Sequence, residues 1–208
     1  MPTTVFLVRH AETVGNIEGR FCGHSETELT PKGIAQARAL GLRLRGQQFD
    51  AAYSSDLSRA HRTAIHALEH HLEPLAPALD PGLREMHYGD WESLTGKEIV
   101  AKDADLMREF FRCRVPAPGG ESIKQVRERT AGAVRKIVET HPDGTLLIVS
   151  HGNAIMAMLA EFLNVPHESS WSFAVANTSI SRLLFSKSGR MTLTGFNDYA
   201  HIEGISEA

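Results

Sequence analysis

The sequence predicts an α/β fold, a three-layer sandwich whose mostly parallel central sheet is flanked by helices, and three observations carry that prediction. Val5-Phe6-Leu7-Val8 and Thr145-Leu146-Leu147-Ile148-Val149 are short continuous apolar runs, the composition of strands buried on both faces. Segments with apolar residues at helical spacing alternate with these runs, as in parallel sheets covered by helices. The chain has 208 residues, 42% of them hydrophobic, and no Pro/Gly/Ser-rich linker, so it can bury one substantial core and a single domain over 1–208 is expected.

The elements follow in order. The first strand lies within Thr3 to Arg9. Ile34, Ala37, Gly41 and Leu44 recur at helical spacing after a proline-containing start at Thr30-Pro31, proline being suited to the first helical position. Ala51-Ala52-Tyr53-Ser54 is a second short strand, and Ser58-Arg59-Ala60 opens the helix after it. Ile123, Val126, Thr130, Val134 and Ile137 form the apolar stripe of a helix following Gly119-Gly120. The strand ending at Val149 runs into an apolar helix beginning near Ala154. Ile180–Phe185 and Met191–Phe196 are expected at the sheet's edge or as a hairpin around Ser188-Gly189.

Chemistry gathers where the strands end. Ligands of open α/β sheets collect at the carboxyl ends of their strands, and there the first strand places Arg9-His10. Neutral imidazole is a competent nucleophile near pH 7, and an adjacent guanidinium can hold a phosphoryl dianion while it is attacked. An isolated Arg-His pair would ordinarily do no more than open a loop, but other strand exits carry matching residues. The strand ending at Val149 leads into Ser150-His151-Gly152-Asn153 at a helix N-terminus, whose unpaired amides suit an anion, with Ser150 expected at most as an N-cap. Arg59 sits in a first helical turn, where a cation is unfavourable unless an anion lies nearby. In Leu83-Arg84-Glu85-Met86-His87-Tyr88-Gly89-Asp90-Trp91-Glu92, a carboxyl could supply the proton that a departing alkoxide needs. Spacing alone does not separate Glu85 from Asp90 or Glu92.

The ordered set Leu7-Val8-Arg9-His10-Ala11-Glu12-Thr13 with Asn16, Leu29-Thr30-Pro31-Lys32-Gly33, Ser54-Ser55-Asp56-Leu57-Ser58-Arg59-Ala60, Leu83-Arg84-Glu85 with Gly89-Asp90-Trp91-Glu92, Pro118-Gly119-Gly120-Glu121-Ser122, and Val149-Ser150-His151-Gly152 resembles the histidine phosphatase superfamily, on its phosphoglycerate-mutase-like branch. The motifs span nearly the whole chain. The resemblance implies that His10 is the phosphorylated nucleophile, that Arg9, Arg59, His151 and Asn16 hold the phosphoryl oxygens, and that Glu85 is the proton donor. Cys22, Gly23, Tyr88 and Gly152 are expected against the substrate with Asn16; Phe21, His24, His87, Arg112, Arg114 and Trp171 are further candidate pocket walls. Two positions depart from the family pattern: Ala11 and Ser93 each stand where glycine is usual. Neither touches a charged or nucleophilic group, and both bear on loop geometry.

Rival chemistries are weaker. His66-Ala67-Leu68-Glu69-His70 matches the H-x-x-E-H pattern of inverted zinc peptidases. The stripe Ala60, Ala64, Leu68 turns these histidines away from the core toward water, whereas catalytic zinc needs an ordered first shell, so no metal site is expected there. Neither Cys22 nor Cys113 has an arginine six positions on to cradle phosphate around a thiolate. Asp103-Ala104-Asp105 imitates paired catalytic aspartates, but in a polar helical stretch.

A formal net charge of −3 argues against a nucleic-acid surface. The Ala154–Ala160 apolar helix is far short of a membrane span, and two distant cysteines with no signal-like start suggest a reduced, cytoplasmic protein. The expected function is therefore metal-independent, cofactor-free hydrolysis of a small phosphomonoester through a phosphohistidine. Phosphoglycerate mutase is the alternative, and a zinc metallopeptidase through His66, Glu69 and His70 a remote one. The resemblance implies that mutases carry a long insert with adjacent arginines and a lysine after the Glu85 motif. Here Trp91 to Pro118 is compact, Cys113 separates Arg112 from Arg114, and Gly96 takes the lysine's place. A homodimer is admitted by the sequence and not specified by it.

Overall fold

The computed structural model describes residues 1–205. Six strands form one sheet in the order β3-β2-β4-β1-β5-β6. They are β1 (Thr3–Arg9), β2 (Ala51–Ser54), β3 (Ala78–Leu79), β4 (Thr145–Ser150), β5 (Ile180–Phe185) and β6 (Met191–Asp198). β1, β2, β3 and β4 are parallel, and the β5–β6 hairpin joins the edge of β1 antiparallel. The mixed sheet and the late hairpin agree with the sequence reading, whereas the two-residue β3 has no counterpart in it.

Alternation along the central strands divides the core. Val5, Leu7, Leu146 and Ile148 point to one face, against Val134 and Ile137 of α5 (Ile123–Thr140) and Ile155, Met158 and Leu159 of α6 (Gly152–Phe162). Phe6, Val8, Leu147 and Val149 point to the other face. There they meet Leu40 of α2 (Pro31–Arg43) and Ala60, Ala64 and Ala67 of α3 (Ser58–Ala67). The continuous apolar runs read from sequence are thus strands covered on both sides, and each fully buried leucine contributes about 1.5–3 kcal/mol of burial. A third cluster joins Tyr88, Trp91, Ile99, Phe110, Val126 and Ala157 and seats α4 (Gly96–Phe111) beside the carboxyl ends of the strands.

Capping chemistry sets the helix ends. α2 starts at Pro31 as expected, and the Thr30 hydroxyl caps it by accepting from the Gly33 amide at 2.8 Å. The Thr13 side chain caps α1 (Val14–Glu18). Two ends differ from the sequence reading. α6 begins at Gly152, with His151 as an N-cap residue that makes no side-chain capping bond; Ser150 instead ends β4 and donates its hydroxyl to the Leu83 carbonyl at 2.8 Å. α4 is broken at Asp103 (φ −158°, ψ 92°), whose carboxylate accepts from the Leu106 amide at 2.9 Å and restarts the helix. The supposed aspartate pair is therefore an exposed internal cap.

Ser93 occupies the left-handed region, φ 64°, where an L side chain is strained and glycine is not. Its amide donates to the Phe21 carbonyl at 2.9 Å and its carbonyl accepts from Arg20 at 2.8 Å, so the loop keeps its path and serine bears the strain. Ser93→Gly is expected to stabilise the protein by about 0.5–1 kcal/mol. A rise in urea midpoint at unchanged slope is the measurement.

Candidate active site

The register of β1 against β4 fixes the centre of the site. Arg9 lies beside Ser150, and the next residue, His10, donates its amide to the Ser150 carbonyl at 2.9 Å. His10 and His151 thereby leave adjacent strands together, with ring centroids 5.1 Å apart. His10 is only 4% exposed, and its Nδ1 lies 2.7 Å from the Ala11 carbonyl. A carbonyl only accepts, so Nδ1 carries the proton and Nε2 keeps its lone pair. Burial, then Arg59 and Arg9, push the imidazole pKa well below the ordinary histidine value, so the ring is neutral near pH 7.

The loop after β1 is held from several sides. The Ala11 amide donates to the Thr63 hydroxyl at 3.0 Å, and the Thr63 hydroxyl donates to the Arg59 carbonyl at 2.7 Å, tying the loop to α3. Ala11 itself is buried against Leu29 and Ala37, so the methyl that replaces glycine packs without disturbing the loop. Asn177 donates to the His10 carbonyl at 2.9 Å and to Asn16 Oδ1 at 3.3 Å. Asn16 lines the cavity, and its Oδ1 also accepts from the Thr13 amide, so the oxygen is committed to the loop.

Two guanidinium groups surround the histidines. Arg9 donates through Nη1 to the Val175 carbonyl at 2.6 Å, while its buried Nε has no partner among the described residues. Gly152 permits this placement, because a Cβ there would stand 3.3 Å from Arg9 Nε and 3.4 Å from Cζ. Arg59 is 1% exposed. It donates to the Cys22, Gly23 and Ser25 carbonyls at 2.8, 2.7 and 3.0 Å, and burial lowers its pKa as it does that of Arg9. His151 is fully buried, and neither ring nitrogen has a partner among the described residues. Burial, then Arg59, His10 and Arg9, hold its pKa well below the ordinary value.

Glu85 closes the opposite wall. Its Oε1 accepts from the Met86 and Ala154 amides at 2.9 and 2.8 Å, and Oε2 accepts from the Asn153 amide at 3.1 Å. The first turn of α6 therefore does hold an anion, but that anion is the carboxylate of the chain itself; the sequence reading had left this terminus to a ligand. Glu92, which spacing did not separate from Glu85, accepts from the Gly23, His24, Ser25 and Tyr88 amides and from the Ser25 hydroxyl. Burial alone would raise its pKa, but these bonds hold it below the usual range. Glu92 staples the Gly23–Ser25 loop to the Tyr88 turn, and Asp90 is exposed.

Arg9, His10, Arg59 and Glu85 line one open cavity of about 250 Å³ with Thr13, Asn16, Gly19, Arg20, Phe21, Cys22, Tyr88, Phe111, Gly152, Asn153, Met156 and Val175; His151, fully buried beside His10, is not in that lining. Of the expected walls, Phe21, Cys22, Tyr88 and Gly152 are present. Tyr88 is buried, which raises its phenol pKa well above the ordinary value, and its oxygen accepts from the Asn153 side chain. Gly23 is not a lining residue, since its amide is taken by Glu92 and its carbonyl by Arg59. His24 and His87 pack against each other outside the lining, and Trp171 stacks on Phe110. Arg112 and Arg114 both pair with Glu109. Sequence reasoning missed Gly19, Arg20, Asn177, Phe111, Met156 and Val175. Only the apolar Phe111 at the end of a polar helix left a trace, for it is 52% exposed.

The zinc-like motif is reshaped as well. α3 ends at Ala67, so His66 and His70 do not share a helix face. His66 is half-buried, not turned to water as the stripe suggested, and lies 2.5 Å from the Glu69 carboxylate. Among the described residues, no group of three or more His, Cys, Asp or Glu side chains is arranged to hold a metal ion.

Comparison with known proteins adds three kinds of likeness. The model of the histidine phosphatase superfamily (branch 1) matches residues 5–199. The adenosylcobalamin/alpha-ribazole phosphatase of Escherichia coli (strain K12) is 32% identical over 174 residues, covering 82% of this chain and 84% of that protein. A 2,3-bisphosphoglycerate-dependent phosphoglycerate mutase of Brucella canis is 36% identical over 166 residues, covering 76% and 81%. Among solved structures, Bacillus stearothermophilus YhfR matches with a TM-score of 0.90 at 34% identity, over 96% of this chain and 99% of that one.

The neutral buried histidines make stability depend on pH with a definite sign. A folded pKa depressed below the unfolded value gives stability that is complete above about pH 6.5 and is lost as the pH falls toward the folded value. Urea unfolding between pH 7 and 5 is expected to show a free energy falling by up to about 1.4 kcal/mol per pH unit for each of His10 and His151. His151→Gln should flatten the slope by one histidine's share, and an unchanged slope in that variant would mean that the ring titrates normally.

Proposed function

Because the chain belongs to the histidine phosphatase superfamily (branch 1), we propose that it hydrolyses the phosphomonoester of a small metabolite through a phosphohistidine on His10. The observation that carries this reading is the His10 tautomer: the Nδ1 bond to the Ala11 carbonyl leaves the Nε2 lone pair free on a residue that lines the cavity with Arg9, Arg59 and Glu85, with the His151 ring 5.1 Å away.

In the first step, Arg9, Arg59, His151 and the Asn16 amide bind the phosphoryl oxygens, and preorganised donors of this kind stabilise the charge of an in-line displacement. His10 Nε2 forms the bond to phosphorus as the P–O bond to the alcohol breaks. The departing oxygen takes a proton from protonated Glu85. In the second step, the Glu85 carboxylate takes a proton from water, the water oxygen bonds to phosphorus, and the P–N bond breaks to return neutral His10 and release phosphate. Each step uses groups of the chain alone.

The Escherichia coli relative is named for hydrolysis of small phosphorylated metabolites and the Brucella canis relative for phosphoryl transfer. The cavity favours hydrolysis. Arg112 and Arg114 pair with Glu109 away from it, and Gly96 is the first residue of α4. Beyond the phosphoryl end the walls are Phe21, Phe111, Met156 and Val175, with Arg20 already paired to Glu18. Arg20 is thus the further cation of the lining, and it is shared with Glu18 and the Ser93 carbonyl. We take residues 1–208 as one catalytic domain. Among the described residues no helix is long and apolar enough to cross a membrane, and the free Cys22 and Cys113 fit a reduced cytoplasmic setting.

Rapid quenching without acid should trap phosphate on His10 that is stable to base and lost in acid. His10→Ala should lower turnover by on the order of a thousandfold or more while remaining folded. A screen of phosphomonoesters should show phosphate release exceeding transfer to a second substrate. Label on another residue, substantial turnover in the variant, or dominant transfer would overturn the reading.

A further inference from the structure

Arg129 lies in α5 and does not line the cavity. Its side chain is nevertheless bonded to the backbone that carries Glu85. Nη1 donates to the Gly82 and Arg84 carbonyls at 3.1 and 2.9 Å, and Nη2 to the Glu85 carbonyl at 3.1 Å. The remaining N–H groups bind Glu121, Nε to Oε1 at 2.8 Å and Nη2 to Oε2 at 2.7 Å. Every donor of the guanidinium is therefore in use. Glu121 completes the frame: its Oε2 accepts from the His87 amide at 2.9 Å, and its own amide donates to the His87 carbonyl at 2.9 Å.

Residues 84–88 belong to no helix or strand, so no ladder fixes the Glu85 peptide. It is held instead by Arg129 and by His24, whose Nε2 lies 3.1 Å from the same carbonyl. On the cavity side, only amides hold the Glu85 carboxylate. The geometry points to Arg129, oriented by Glu121, as the positioning residue for Glu85: it sets the depth at which the acid meets the leaving oxygen. Proton transfer requires heavy atoms within hydrogen-bond reach, and a misplacement of about 1 Å can cost a hundredfold in rate. A lysine places one compact charge where the guanidinium reaches three carbonyls and a carboxylate at once.

The inference rests on the reading of Glu85 as the acid, and the test separates the two. The rate of His10 phosphorylation is measured by rapid quench with 2-phenylethyl phosphate, whose alkoxide needs a proton, and with 4-nitrophenyl phosphate, whose phenolate does not. Arg129→Lys and Arg129→Ala are expected to slow the alkyl ester by about tenfold or more and the aryl ester by less than about threefold. KM should stay nearly constant, and guanidinium ion should partly restore Arg129→Ala on the alkyl ester. Equal losses on both esters, or lower urea stability with no leaving-group bias, would make Arg129 a structural brace only and overturn the inference. Should neither variant fold, Glu121→Gln, which keeps the three carbonyl bonds of Arg129, must show the same bias in smaller degree. Glu85→Gln serves as reference. If it shows no bias, the acid assignment fails and this inference with it; if it does and the Arg129 and Glu121 variants do not, only the inference fails.

Discussion

The parallel pairing of β1 with β4 is the constraint on which the rest depends. Register in a sheet buried on both faces is specified strongly, because a slip of one residue turns every side chain to the opposite face. Here Val5, Leu7, Leu146 and Ile148 must meet α5 and α6, while Phe6, Val8, Leu147 and Val149 must meet α2 and α3. Core packing therefore decides that Arg9 ends beside Ser150, and so that His10 and His151 emerge as a pair. The β2–β4 pairing, Ser54 beside Val149, brings the mouth of α3 and Arg59 to the same rim.

Those strand exits concentrate positive charge where water is scarce. Arg9 and Arg59 are both desolvated; burial first, and these two cations after it, hold the pKa values of His10 and His151 well below the ordinary one. A neutral imidazole is what nucleophilic attack requires, so on the proposed mechanism burial and the cations that would bind a phosphoryl dianion both favour the reactive form of His10. The open bonding positions at Arg9 Nε and on His151 belong to the same arrangement. A site that is unsatisfied when empty and matched when an anion enters gains selectively from that ligand.

Much of this was legible in the chain because it rests on local pattern. Continuous apolar runs located β1 and β4, and the rule that ligands gather at strand ends singled out His10, His151 and Arg59 before any fold was known. What was not legible depends on residues distant in sequence. The first turn of α6 suited an anion, but nothing near Gly152 reveals that Glu85 fills it. Gly23 belonged to an expected pocket wall, yet Glu92 and Arg59 take both its backbone groups. His66 and His70 matched a ligand spacing that requires a continuous helix, and α3 stops between them.

Counting lone pairs separates carboxylates that spacing left equivalent. A carboxylate offers about four acceptor sites. Glu92 receives two donors on Oε1 and three on Oε2, so it is committed to holding the loops it joins. Glu85 receives two donors on Oε1 and a single one on Oε2. One site on Oε2 is therefore left for a proton or a substrate oxygen, on a residue that also lines the cavity. General acid chemistry needs that vacancy, and Glu92 has none and lies outside the cavity lining.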